Sequence, residues 1–155
     1  MKKIIKDFKY YKNNSLSKSR VAVIINPCFL CMVLFRISNY MYKRKLKLLA
    51  KVIWFINRVT FNVDIDYRAE ISEEVMLIHG LGIVIGHEVR IDRRVKIYQG
   101  VTLGGNNGKT DIYEGKEISQ PVIEENCVIA PNSMIFGPVV IKKNSFVKAG
   151  KIISR

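Results

Sequence analysis

The sequence predicts a mainly β protein, a parallel β-helix of short strands entered through a basic helical segment. Three observations carry that prediction. Aliphatic residues recur every six positions between residues 65 and 153, the net charge of +13 falls within residues 1–60, and apolar side chains follow helical spacing between residues 27 and 59. A length of 155 residues suits one compact domain. Residues 1–60 form a basic helical arm and residues 61–155 the β-helix, with a loop at 106–120.

The charge division comes first. Residues 1–60 hold 14 of the 26 basic side chains and a single acid, Asp7, whereas residues 61–155 hold 12 of each sign. A basic arm on a neutral body disfavours a uniformly basic coat on nucleic acid, and no nucleic-acid-binding motif accompanies the charge. Residues 1–20 are polar and lysine-rich, with no cleavage-site pattern of a secretory signal. The apolar run Val21–Phe35 is broken by Asn26-Pro27 and falls short of the ~20 residues that span a bilayer. Asn26 before Pro27 reads as an N-cap and first helical position, which predicts a helix from Pro27 to Tyr42. A second helix is expected from Leu46 to Val59, where Leu46, Leu49, Ile53 and Ile56 share one face and Lys43, Lys47 and Lys51 another. Such a helix either lies on an anionic membrane surface or packs its apolar face on the protein.

The period of six is the strongest signal. Ile65, Ile71, Leu77, Ile83, Val89, Val95 and Val101 form one series, and Ile123, Ile129, Ile135, Ile141, Val147 and Ile153 a second. Ile, Leu and Val supply 29 of residues 61–155, so an unbroken run of both series has odds on the order of one in a hundred thousand. Six fits neither an α-helix nor a hairpin strand. It fits a β-helix in which each short strand sends an aliphatic side chain inward and then turns, three strands making a coil of ~18 residues and the whole giving about four to five coils. The polar, glycine-containing segment 106–120 interrupts the period and reads as a functional or disordered loop. Cys28, Cys31 and Cys127 are too few for a disulfide framework, which points to a reducing compartment. Cys28 and Cys31 read as apolar-face helix residues rather than a metal or redox pair.

Three stretches resemble a known family. They are Val63-Asp64-Ile65, Leu77-Ile78-His79-Gly80-Leu81-Gly82-Ile83-Val84-Ile85-Gly86, and Tyr98-Gln99-Gly100-Val101-Thr102-Leu103-Gly104-Gly105, with a weaker continuation from Pro121 to Gly150. They resemble hexapeptide-repeat acyltransferases, which are left-handed β-helices, and within them the serine acetyltransferase branch. The resemblance implies a homotrimer with acetyl-CoA as acetyl donor in the groove between neighbours, and no metal. It makes His79 the general base and Asp64 its carboxylate partner. Gly104 and Gly105, with Pro131 and Ala149, fall on positions that line the coenzyme groove, and Ile78, Gln99 and Gln120 on the acceptor side. Lys148, Lys151 and Arg155 read as solvated charge.

The chemistry suits these residue types. An alcohol must lose its proton as its oxygen attacks the thioester, and an imidazole titrating near pH 6.5 can take it and later release it. A carboxylate fixes the imidazole tautomer and stabilises the imidazolium. Glycine N–H groups can approach the thioester oxygen closely.

Departures from the serine acetyltransferase pattern shift the expected acceptor. In that branch an aspartate precedes the catalytic histidine and an Arg-His pair precedes the proline of the second block, recognising the charged ends of serine. Here those positions are Ile78, Ser119 and Gln120. Losing charge-assisted contacts costs roughly 1.5–3 kcal/mol each. The chain is also similar to short acetyltransferases of polysaccharide biosynthesis, so the leading expectation is O-acetylation of a sugar hydroxyl by direct transfer, in the cytoplasm or peripherally at the inner membrane face. Serine O-acetylation is the alternative, and a noncatalytic scaffold or membrane-bound module is the alternative of another class. A zinc lyase of the carbonic anhydrase type needs three converging imidazoles, and the chain has two histidines, His79 and His87.

Overall fold

The computed structural model describes residues 2–155. Four helices come first: α1 (Lys2–Asn14), α2 (Arg20–Ile24), α3 (Pro27–Lys43) and α4 (Lys47–Phe61). The next strands are β1 (Asp64–Ile65), β2 (Glu70–Ile71), β3 (Met76–Ile78), β4 (Val84–Ile85), β5 (Arg90–Ile91), β6 (Lys96–Tyr98) and β7 (Thr102–Gly104). A hairpin of β8 (Asp111–Tyr113) and β9 (Lys116–Ile118) intervenes. The repeat then resumes with β10 (Val122–Ile123), β11 (Val128–Ile129), β12 (Met134–Phe136), β13 (Val140–Ile141), β14 (Phe146–Val147) and β15 (Ile152–Ser154).

Three parallel sheets wrap one aliphatic column. Face A is β1-β4-β7-β12-β15, face B is β2-β5-β10-β13, and face C is β3-β6-β11-β14. The chain visits A, B and C in turn, as the period of six requires.

Each repeat buries two positions rather than one. Val63 and Ile65, Ile83 and Ile85, Val89 and Ile91, and Val95 and Ile97 all point inward and are at most 1% exposed. Burial of such a side chain stabilises by roughly 1.5–3 kcal/mol. This doubling conceals a departure from the expected coil of ~18 residues. Ile65 pairs with Ile85, Ile71 with Ile91 and Leu77 with Ile97, a stride of 20. Val84 pairs with Thr102 and Val122 with Val140, a stride of 18. The series of six therefore crosses from one inward column to the other between Leu77 and Ile83, where the chain carries two extra residues. Thr102 pairs with Met134 in the next coil across a much longer stride, because segment 106–120 is inserted between them and forms the antiparallel hairpin.

The expected helices at Pro27 and Leu46 are present with small shifts. Asn26 Oδ1 accepts from the N–H groups of Cys28 (2.9 Å) and Phe29, with Pro27 at the first helical position. Helices α1 and α2 were not anticipated. In α1, Ile4, Phe8 and Tyr11 recur at helical spacing and pack on the core, but the surrounding lysines mask the pattern.

The inner side of the arm is fastened to the first coil. Arg36 Nε donates to Asp7 Oδ2 at 2.9 Å, and its terminal nitrogens donate to the carbonyls of Ile71 and Ser72, both at 2.6 Å. Asp7 also accepts the Glu74 N–H at 2.7 Å. Tyr11 Oη accepts from the Leu77 N–H at 2.8 Å and donates to the Cys28 carbonyl. Buried charge is tolerable here because both partners are fully hydrogen-bonded. Cys31 is buried in the core, which pushes its thiol pKa up to about 12, and Cys28 packs against the same cluster.

Candidate active site

His79 occupies the corner from face C to face A. That corner is where the first coil carries its two extra residues. In the stacked corners a single left-handed residue makes the turn: Gly100 (φ 67°), Asn132 (φ 58°) and Gly150 (φ 67°), with Gly82 (φ 64°) above them. Backbone bonds Gly100 N–H to Leu81 O, Asn132 N–H to Gln99 O and Gly150 N–H to Pro131 O, each 2.9 Å, hold the column. His79 is an additional left-handed residue (φ 52°), in the conformation that Glu74 (φ 65°), Arg94 (φ 59°) and Asn126 (φ 62°) adopt at the corners from face B to face C.

The imidazole is exposed and lines a cavity of about 800 Å³ between the arm and the first coil. Tyr11, Leu16, Asn26, Cys28, Asn62 and Ile78 are among its walls. The Gly80 N–H donates to Cys28 Sγ at 3.2 Å, so the first turn of α3 supports the corner directly. That the arm builds this wall was not expected from the sequence; the Asn26-Pro27 cap was its one visible sign.

Asp64 is placed differently from expectation. Its Oδ1 accepts from Trp54 Nε1 at 2.9 Å, and Oδ2 lies 3.3 Å from Arg58 Nη1. No hydrogen bond or ion pair joins it to His79 among the described residues. Asp64 takes the outward position of β1 beside the inward Ile65, and the last turns of α4 reach its carboxylate first.

The other expected site residues divide between two edges of the prism. Gln99, Pro131 and Ala149 occupy the C-to-A corners below His79, one per coil. Gln99 Oε1 is buried with no hydrogen-bond partner. Gly104 ends β7, Gly105 follows it, and with Gln120 they mark the A-to-B corner. Face A separates these edges by about five extended residues, ~16 Å at 3.3 Å each. Within one chain, therefore, His79 and Gln120 do not converge.

The A-to-B edge holds a polar cluster. The Glu88 N–H donates to Gln120 Oε1 at 3.3 Å, which turns Gln120 Nε2 toward His87 Nδ1 at 3.2 Å. His87 Nε2 on the other side of the ring lies 3.4 Å from Glu88 Oε1. Ser119 Oγ bonds the other Glu88 oxygen. A Cβ on Gly86 would collide with the Gln120 amide, so glycine is what admits it. His87, which matches no catalytic position in the sequence, is thus tied into this edge. Partial burial alone would raise the nearby Asp66, but hydrogen bonds from the Arg68 side chain and N–H outweigh it and hold the carboxyl below its usual range. No group of three metal-ligating side chains forms among the described residues.

In both sequence and fold the chain is similar to known proteins. The relatives in question are serine acetyltransferases. The chain is 36% identical to the serine acetyltransferase of Bacillus pumilus over 118 residues, which is 76% of this chain and 52% of that protein. With the Bacillus subtilis enzyme the identity is 34% over the same length and coverage. Among solved structures, a serine acetyltransferase in complex with CoA matches with a TM-score of 0.85 and 25% identity, covering 97% of this chain and 60% of that one. The Neisseria gonorrhoeae enzyme in complex with serine matches at 0.86 and 25%, covering 99% and 63%. The chain spans about half the length of the curated relatives it matches. No family model matches it.

Proposed function

We propose that the protein is an acetyl-CoA-dependent O-acetyltransferase with His79 as general base. The observation that carries this reading is the left-handed corner that pushes His79 into a cavity of about 800 Å³. His79 takes the proton of an acceptor hydroxyl as the oxygen attacks the thioester carbonyl; the tetrahedral intermediate collapses with cleavage of the C–S bond, and the imidazolium returns that proton to the departing CoA sulfur. Asp64 is shared by Trp54 and Arg58 and makes no bond to His79 among the described residues, so it favours the imidazolium only through its charge. Gly105 offers its N–H to the thioester oxygen, Gly104, paired with Phe136 in the ladder, allows close approach of the ligand, and Pro131 and Ala149 line the pantetheine path. The separation of the two edges supports a homotrimer, in which the His79 edge of one copy faces the Gly105–Gln120 edge of the next.

Serine is the first acceptor to test. The relatives matched over three quarters of the chain are serine acetyltransferases, which shifts the choice away from the polysaccharide sugar expected from the sequence. A specific observation keeps a sugar hydroxyl as the second reading. Ile78 brings no charge to the cavity, and Ser119 and Gln120 are engaged by Glu88 and His87.

Thiol release from acetyl-CoA with L-serine, and separately with free and nucleotide-linked hexoses, separates the readings. Turnover with serine that disappears in His79→Ala supports the first. Turnover with sugars alone moves the assignment to the second, and no acetyl transfer to any hydroxyl from the wild-type protein overturns both in favour of a noncatalytic module.

A further inference from the structure

Helix α4 meets the rest of the protein along one side. Ala50 and Asn57 are its buried residues: the Ala50 carbonyl accepts from Ser38 Oγ at 2.8 Å, and Asn57 Nδ2 donates to the Cys31 carbonyl at 3.2 Å. On the opposite side Leu48, Val52, Phe55 and Val59, spaced by four, three and four, form a continuous stripe. They are 78%, 46%, 59% and 67% exposed, and Leu49 and Ile56 widen the stripe. Lys47, Lys51 and Arg58 line one border, and Lys43, Arg44 and Lys45 crowd the turn before the helix. Single exposed apolar residues are ordinary, but six on one helical face are not.

We propose that this face of α4 docks on an anionic lipid surface, with the helix lying in the plane of the interface. Charge decides the occupant. Asp7, the one acid of residues 1–60, is enclosed with Arg36, so no carboxylate of the arm reaches the surface. Neither Lys47 nor Lys51 has an acidic partner among the described residues. A second copy laid on the same face would set cations against cations. An anionic bilayer satisfies both halves, acyl chains receiving the stripe and headgroups the border. No helix of the described residues is long and apolar enough to cross a membrane, so α4 lies on the surface. Its end is continuous with the cavity: Thr60, Phe61 and Asn62 form part of the wall around His79. Docking therefore brings that cavity to the lipid–water boundary. Only this last step, the presentation of a membrane-linked hydroxyl to His79, rests on the acetyltransferase reading.

The test is flotation of the full chain with vesicles of phosphatidylcholine alone, and with about one third phosphatidylglycerol. Binding is expected only to the anionic vesicles, and it weakens as salt rises. Each basic residue near such a surface contributes about fivefold, so the pair Lys47→Gln and Lys51→Gln lowers partitioning about 25-fold. The pair Leu48→Ser and Phe55→Ser abolishes flotation, while Ile112→Ser, an equally exposed apolar residue of the hairpin, leaves it unchanged. His79→Asn also floats like wild type, which separates docking from catalysis. Equal binding to neutral vesicles, no binding, or indifference to both pairs with an unchanged circular dichroism melt overturns the proposal. A fall in oligomeric mass on Leu48→Ser with Phe55→Ser, without vesicle binding by the wild type, assigns the face to a second copy instead.

Discussion

Trp54 donates its indole N–H to the carboxylate of Asp64 across 2.9 Å, bridging the middle of α4 to the first strand of face A. Arg58, one helical turn on, shares the same carboxylate and lies over the Trp54 ring. The chain has a single tryptophan, so this contact can be read directly. Asp64→Asn should change the emission of Trp54 while leaving the melting temperature nearly unchanged. Trp54→Phe removes one hydrogen bond to a charged group and should lower kcat/KM about tenfold if Asp64 supports catalysis. A normal kcat/KM in Trp54→Phe confines the contact to holding α4 in place.

His79 sits at a positive φ that asparagine tolerates well. His79→Asn should therefore fold with wild-type stability and lose about 10²–10⁴ in kcat. Thermal melts and thiol-release rates on the same preparation decide it. Stability lost together with activity would make the corner a structural feature only.

Arg36 and Asp7 are a buried pair that fastens α1 and α3 to the first coil. Asp7→Asn leaves the guanidinium without its counter-charge and should destabilise by about 3–5 kcal/mol. Chemical denaturation measures it, with accelerated amide exchange in α1 as the local sign.

Glu124 accepts the Lys143 N–H at 2.8 Å and contacts Lys142 and Tyr113, which holds its carboxyl below the usual 4.5. A lowered folded-state value means that its stabilisation is present above pH 4.5 and disappears as pH falls through the folded value. Glu124→Gln should flatten the acid limb of a plot of melting temperature against pH and leave the slope near neutrality alone. An unchanged acid limb would show that other carboxylates set it.

The repeat was legible because each face turns an aliphatic side chain inward at regular intervals. Its irregularity was not, since two inward columns run side by side: the step from Leu77 to Ile83 keeps the spacing of six while changing columns. The position of His79 could be read from its surrounding motif. Its left-handed conformation and its cavity could not, because Tyr11, Leu16 and Cys28 come from the helical arm, far earlier in the chain. Asp64 shows the same limit. Its partners Trp54 and Arg58 lie upstream on α4, and only the chain reversal at Asn62 (φ 53°) brings them near.

The two surplus residues of the first coil have a consequence for evolution and engineering. Every later corner on that edge manages with one left-handed residue, so the prism has no need of His79 to close. Excising His79 and Gly80, which have no counterpart between the pairs Ile78–Tyr98 and Leu81–Gln99, would give the first coil the stride of 18, and we expect a protein that is harder to melt and transfers no acetyl group. The His79 corner is thus a local irregularity that closure of the prism does not require, as a corner kept for chemistry at the expense of regularity would be.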